Sequence, residues 1–411
     1  MTNYKYLIIG GGVAGTTAAD NIRQLDAEGS IAIVGDEPYP FYSKVMLSKP
    51  EYFMGKIPEE KIFLKQPNWY GEKKIDYITG KQVTSVDPKS KTITLNDNLV
   101  IQYDKLLIAT GNTPRAWDIP GAEKDGIFSL RRLDDYKKIK SFIPNVKNAV
   151  SIGGGFISFE MCEIMNRLGI SVTLIIRENY FWEPILDKES ATIAEKAMEA
   201  KGIKIIRNAE VQEVTGDTKV SGLVLKNGES VACDMVIVSI GNYCNLEFLK
   251  TSGIELSRGI ITDEYLKTNV TDVWAAGDVA DYSDLILEEQ VELGNWVNAQ
   301  VQGKIAGLNM AGKPQPFKLV SSCNAHGFES NITFVGDIRP EKNKKVILRK
   351  SLDSKNIIQL FIKFGELIGA TFVNGAEELP TVCKLIETDT KLTGFESQLS
   401  DPSFDLKGLM K

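Results

Sequence analysis

Two glycine runs carry the clearest chemistry in this chain. The stretch IIGGGVAGTTAAD spans residues 8–20, and SIGGGFISFEMCE spans residues 151–163. In the first, Gly10, Gly12 and Gly15 fit the spacing G-x-G-x-x-G. Gly10 permits a tight turn, Gly12 lets the backbone approach a pyrophosphate, and Gly15 lets a helix pack close to a strand. That helix also aims its N-terminus, with its partial positive charge, at phosphate. The second run keeps Gly153 and Gly155 but has Ser158 at the close-packing position. A serine adds a small side chain, so a modest helix shift accommodates it. The expectation is a working, locally altered second site.

Such loops bind only when elements hold them in order, strand before and helix after. KYLII is a short apolar run suited to a buried parallel strand, AGTTAADNIRQL reads as the helix, and SIAIVGDE as a next strand ending at Glu37. An acid there accepts hydrogen bonds from ribose hydroxyls. The second unit repeats the order with NAVSI, the helix FEMCEIMNRLG and the strand SVTLII, after which come Arg177 and Glu178. An acid at that point suits NAD and an arginine suits a 2′-phosphate. Both are present, so NADH and NADPH are both open on these residues.

The chain has 411 residues, 43% of them hydrophobic and 25% charged, with a formal net charge of −6. That is enough for two or three domains with a large core. Mild acidity argues against general nucleic-acid binding. No apolar run approaches the roughly 20 residues of a membrane span, and the start, MTNYKYLIIGGG, is expected to enter a strand at once without a signal-peptide layout. The five cysteines, Cys162, Cys233, Cys244, Cys323 and Cys383, form no CxxC pair. This weighs against a metal cluster or a paired redox centre and fits a reducing cytoplasm. One histidine, His326, cannot build a histidine metal site alone.

Two dinucleotide sites in one chain imply two cofactors that exchange electrons. Three further stretches agree: YDKLLIATGNTPR before Thr110 and Gly111, VWAAGDVAD before Gly277 and Asp278, and GNWVNAQVQGKIAGLNMAG with a helix starting near Trp296. Together these motifs resemble the two-dinucleotide-binding-domain flavoproteins, in the branch of NADH-dependent rubredoxin and ferredoxin reductases and the flavin part of nitrite reductases. The resemblance implies an α/β fold of two Rossmann-like, doubly wound domains of the glutathione-reductase type plus a small α+β C-terminal domain. It implies FAD binding by 1–114 and 245–316, NAD(P)H binding by 115–244, and a C-terminal interface domain over 317–411.

The same resemblance implies roles. Gly10, Gly12, Gly15 and Glu37 would hold the ADP half of FAD, Asp278 the ribityl chain, and Thr110 and Gly111 the flavin side of the crossover. The helix after Trp296 would point its N-terminus at the flavin, with Val297 and Asn298 as backbone donors and Trp296 beside the ring. FYSKVMLSKPEYF, residues 41–53, is similar to the family segment Y-x-R-P-x-L-S-K. Lys49 matches the lysine that approaches flavin N5 and Glu160 its acidic partner. Lys44 stands where the family has arginine, and Val45 replaces a proline.

Relatives that reduce peroxide or disulfides carry a redox cysteine near Lys44, whereas no cysteine here precedes Cys162. Electrons therefore leave the flavin by another route, and a one-electron iron-sulfur or rubredoxin-type carrier, or a redox partner subunit, suits it. Two rivals use the same residues: an NAD(P)H oxidase forming peroxide from oxygen, and an FAD-containing assembly subunit without nicotinamide binding. The sequence leaves open the direction of electron flow and whether the chain works as a homo-oligomer or in a multi-subunit complex. In the tail, segments such as NITFVGDI and NIIQLFIKF suggest a small antiparallel sheet, with a helix near AEELPTVCKLIET. RPEKNKKVILRK reads as an exposed basic hairpin, with docking of an acidic redox protein as the alternative.

Overall fold

A computed structural model describes residues 2–341, 343–351 and 355–410. The chain forms two compact units. The first comprises residues 1–43, 59–113 and 243–321, and the second 44–58, 114–242 and 322–411.

The core of the first unit is a sheet whose parallel strands run in the order Ile75–Ile78, Ile31–Val34, Thr2–Ile9, Val100–Ile108 and Val273–Ala275. An antiparallel pair, Val83–Asp87 and Thr92–Leu95, extends it beyond Val100–Ile108. Ile31–Val34 is buried at all four positions, as a strand covered on both faces must be. It ends at Val34, three residues short of the expected Glu37, with the Gly35 N–H donating to the Ile78 carbonyl at 2.9 Å as the last bond of the ladder.

One face of the sheet is covered by the helices Val13–Leu25 and Trp296–Met310. They approach closely through small residues. A Cβ on Gly303 or Gly307 would collide with the backbone of Ala14 or Ala18.

The second unit repeats the parallel arrangement in the order Lys204–Ile206, Ser171–Ile175, Asn148–Ile152, Met235–Val238 and Ile127–Phe128. The NAVSI strand has the expected bounds. Its following helix, Phe156–Arg167, is built from larger residues, with Phe159, Met161, Ile164 and Met165 buried. Residues 44–58 also belong here. Tyr52 stacks on Tyr136 with ring centroids 4.4 Å apart, Phe53 meets the same ring edge-on at 4.7 Å, and the Tyr136 hydroxyl donates to the Tyr52 carbonyl at 3.2 Å.

The tail forms a five-stranded antiparallel sheet in the order Ser322–Gly327, Ser330–Gly336, Glu366–Val373, Ile357–Lys363 and Lys345–Lys350, followed by the helix Leu379–Glu387. Ser322–Gly327 was not among the expected strands.

The basic stretch from Arg339 to Lys350 includes Lys342, which lies outside the described residues, but most of its charge is used internally. Lys344 and Arg339 both pair with Asp337, at 2.6 and 2.8 Å. Burial alone would raise the Asp337 carboxyl, but the hydrogen bonds from Arg339 and Lys344 outweigh it and hold the group at about 2. The Arg349 side chain is 2% exposed and donates to Glu378 and to the carbonyls of Leu399, Asp401 and Phe404. The stretch forms the first strand of an antiparallel pair with Ile357–Lys363 and is exposed at Pro340, Glu341, Asn343, Lys345 and Val346, but Arg339, Lys344 and Arg349 use their charge inside the fold.

Candidate nucleotide-binding sites

Each glycine loop follows the central strand of its sheet, next to the strand where the chain order reverses. That is the place where open α/β sheets bind ligands. Gly10 has φ +113°, and a Cβ on it would collide with the Ala109 carbonyl at the end of the neighbouring strand. Gly153 has φ +103° and is confined in the same way by the Ser239 carbonyl. The turn therefore demands glycine twice, for one steric reason.

The middle glycines are different. No atom of the described residues lies within 4 Å of where a Cβ on Gly12 would stand, and the nearest to Gly155 is the Ser239 hydroxyl at 3.8 Å. Both residues have negative φ, −78° and −101°, so neither glycine is required by the backbone. Each leaves open space at a helix N-terminus, the cradle a pyrophosphate needs.

The third positions diverge. A Cβ on Gly15 would collide with the Gly10 carbonyl and stand 3.0 Å from Ile8 Cγ2. Ser158 holds its side chain fully buried, with its hydroxyl donating to the Ile152 carbonyl at 3.4 Å. The second loop has room for the serine that the first excludes.

Around the first loop, Glu37 is half-buried and accepts from the Tyr42 hydroxyl at 2.7 Å. Thr110 and Gly111 follow Ala109, with Gly111 at φ +69°. Asp278 accepts from the Asn112 amide at 2.9 Å. Its neighbour Gly277 has φ +84°, lies against Ala14, and donates its N–H to Gln302 Oε1 at 2.7 Å.

Trp296 stacks on Phe41, with centroids 5.8 Å apart and planes at 12°. Val297 is exposed. The Asn298 N–H corrects one expectation: it is taken by the helix cap, donating to Asn295 Oδ1 at 2.9 Å. What Asn298 offers instead is a buried Oδ1 without a hydrogen-bond partner among the described residues, and Gln302 Nε2 is in the same state. Buried polar atoms normally find partners. An acceptor and a donor left over on one helix, four residues apart, fit a polar cofactor such as FAD. Gln302 was missed in the sequence, although its spacing from Asn298 places both on one helix face.

Around the second loop, Arg177 reaches outward, 78% exposed, and pairs with Glu178 Oε1 at 2.9 Å. Glu178 Oε2 is buried without a partner among the described residues and lies 3.8 Å from where a Gly154 Cβ would stand. An orphaned acceptor beside the glycine loop fits a ribose hydroxyl.

Lys44 opens a 3₁₀ turn, Lys44–Ser48, that leads to Lys49. Lys49 forms an ion pair with Glu160 Oε1, and the Ser48 hydroxyl donates to Glu160 Oε2. Lys49 and Glu160 are thus brought together within the second unit, whereas Trp296 belongs to the first. Ser48 was overlooked in the sequence although it directly precedes the lysine in the L-S-K segment.

The cysteines offer no reactive thiol pair. Burial pushes the Cys162 and Cys233 thiols up to about 12 and Cys323 to about 11. Among the described residues no helix is long and apolar enough to cross a membrane.

Comparison with known proteins agrees with this architecture. Residues 4–303 match the family profile described as pyridine nucleotide-disulphide oxidoreductase, and residues 326–410 match that of a reductase C-terminal domain. NADH-rubredoxin oxidoreductase of Clostridium acetobutylicum is 31% identical over 366 residues, covering 87% of this chain and 88% of its own. Nitrite reductase [NAD(P)H] of Bacillus subtilis is 27% identical over 96% of this chain, which spans only 48% of that longer protein. The crystal structure of a ferredoxin reductase from Rhodopseudomonas palustris superimposes with a TM-score of 0.90 at 26% identity, covering 99% of this chain and 100% of its own. With the family match spanning most of its length and both glycine loops in place, the chain belongs to the pyridine nucleotide-disulphide oxidoreductases, enzymes that use FAD and NAD(P)H.

Proposed function

We propose that the first unit retains FAD, that the second takes NADH in turnover, and that electrons pass on to an iron-sulfur or rubredoxin-type carrier or a redox partner subunit. The duplicated loop carries this reading: two cradles of one design, in separate units, each open where a pyrophosphate must approach. Bound FAD supplies the ability to take an electron pair from a nicotinamide and release it singly.

Gly10, Gly12, Gly15 and Glu37 bind the ADP half of FAD. Thr110, Gly111, Gly277 and Asp278 complete its site, with Asp278 accepting from ribityl hydroxyls. The N-terminus of the Trp296–Met310 helix, through Val297, and the carboxamides of Asn298 and Gln302 provide polar contacts. Trp296 shields the ring. Gly153, Gly155 and Ser158 receive the nicotinamide nucleotide, and Lys49 with Glu160 fixes its reacting geometry. Glu178 selects NADH, because its orphaned oxygen suits a ribose 2′-hydroxyl and would repel a 2′-phosphate, while Arg177 is turned outward and already paired.

The Cys162, Cys233 and Cys323 thiols, buried and pushed up, are poor relays, which supports a one-electron acceptor. Likeness to rubredoxin and ferredoxin reductases supports the same acceptor class. Five reduced thiols support a cytoplasmic location.

Anaerobic mixing with NADH or NADPH, followed by rubredoxin, ferredoxin or oxygen, tests the reading. NADH should bleach the flavin faster than NADPH, and an iron-sulfur carrier should restore the colour faster than oxygen. Faster recovery with oxygen, with peroxide released, would make the protein an oxidase instead.

A further inference from the structure

Glu160 is 7% exposed, and each of its carboxylate oxygens meets a donor from one of two consecutive residues. A carboxylate that deep needs such partners. Lys49 reaches Oε1 on a flexible four-carbon stem whose side chain is 28% exposed, so it fixes one oxygen and leaves the carboxylate plane free to turn. The Ser48 hydroxyl, on a buried residue and a one-carbon stem, holds the other oxygen and so fixes the plane.

The backbone that carries both donors is itself held. The Lys49 N–H donates to the Met46 carbonyl at 3.1 Å, and the Lys49 carbonyl accepts from Tyr52 and Phe53, each at 3.1 Å. The two aromatic rings in turn pack on Tyr136. Ser48 therefore has little freedom to point elsewhere.

We propose that Ser48 is a positioning residue: its hydroxyl locks the Glu160 carboxylate so that Glu160 presents the Lys49 ammonium in one orientation during electron transfer from NADH. The inference rests on the reading of Lys49 and Glu160 given above, and Ser48 itself need not touch the nucleotide.

The test uses the full chain with FAD bound and compares Ser48→Ala, Glu160→Gln, Lys49→Met and the double variant Ser48→Ala/Glu160→Gln. Anaerobic rapid mixing gives the limiting rate of flavin bleaching and the NADH dissociation constant separately. Ser48→Ala should lower the limiting rate by about tenfold while changing the dissociation constant by no more than about twofold. In the Glu160→Gln background it should add little, since its target is already altered. Thermal unfolding midpoints provide a readout independent of turnover, and the two single losses should sum to more than the loss in the double variant. A parent-like rate in Ser48→Ala, beside slow Lys49→Met and Glu160→Gln, would overturn the role of Ser48 alone. An equal further slowing by Ser48→Ala in the Glu160→Gln background would do the same. Parent-like rates in both Lys49→Met and Glu160→Gln would overturn the reading of the pair and, with it, this inference.

Discussion

The two glycine loops share a turn and differ in what surrounds it. Gly10 and Gly153 are confined by the same kind of carbonyl, from the same neighbouring strand of the sheet. Five residues after the middle glycine, the first helix carries Thr17 and the second carries Glu160. The first helix packs on another helix through glycines, while the second is built from bulky side chains and meets the strand Ser322–Gly327. A nucleotide loop is thus set by its strand and turn, and the helix behind it is free to diverge.

Exchanging the third positions tests that contrast most severely. Gly15→Ser would drive a side chain into the Gly10 carbonyl and should destabilise the first unit by about 1–3 kcal/mol, with most FAD lost on purification. Ser158→Gly should cost only about 0.5 kcal/mol, from helix propensity. FAD content and thermal unfolding of both variants give the answer. Equal effects would mean that the two helices stand at the same distance from their loops.

The Lys49–Glu160 pair exists only in the second copy. Removing one partner of a buried pair costs about 3–5 kcal/mol, and the partial exposure of Lys49 reduces this. Lys49→Met and Glu160→Gln should each slow flavin bleaching by at least about tenfold with FAD retained. The double variant should be less impaired than the two losses added together, because they share one interaction. Additive effects would reduce the pair to an ordinary surface contact.

Smaller effects should come from the acids that flank the loops. Glu178→Ala should weaken NADH binding by about tenfold, the loss of a hydrogen bond to a charged acceptor, without changing FAD content. Glu37→Ala should do the reverse. The smallest effect belongs to Arg177→Ala, which should leave NADH turnover nearly unchanged. A loss confined to NADPH, in a protein that prefers NADPH, would reverse the assignment of nucleotide.

Much of this was legible in the sequence because it is local. Strand, glycine turn and helix lie within about thirty residues of one another in a nucleotide-binding unit, and NAVSI gave its strand with correct bounds. The capping of the Asn298 N–H was missed although it too is local, since an asparagine at 295 is a preferred cap residue three positions before it. What escaped depends on distant partners. Ser48 reads as a small loop residue until Glu160, 112 positions away, is placed beside it. Arg349 reads as part of a basic hairpin until the carbonyls of residues 399–404 fold over it. Residues 44–58 join the second unit through aromatic stacking on Tyr136, which no periodicity announces.

The central claim is that one loop retains FAD while the other admits NADH. Gly155→Val tests it most directly, because its φ of −101° suits any residue and the nearest atom to a Cβ there is 3.8 Å away. The substitution should leave the fold intact and fill only the space a pyrophosphate needs. The measurement is an anaerobic titration of this variant with NADH, followed by dithionite. The account predicts a yellow protein with full FAD content that dithionite bleaches and NADH does not. Bleaching by NADH at the parent rate and affinity would contradict it.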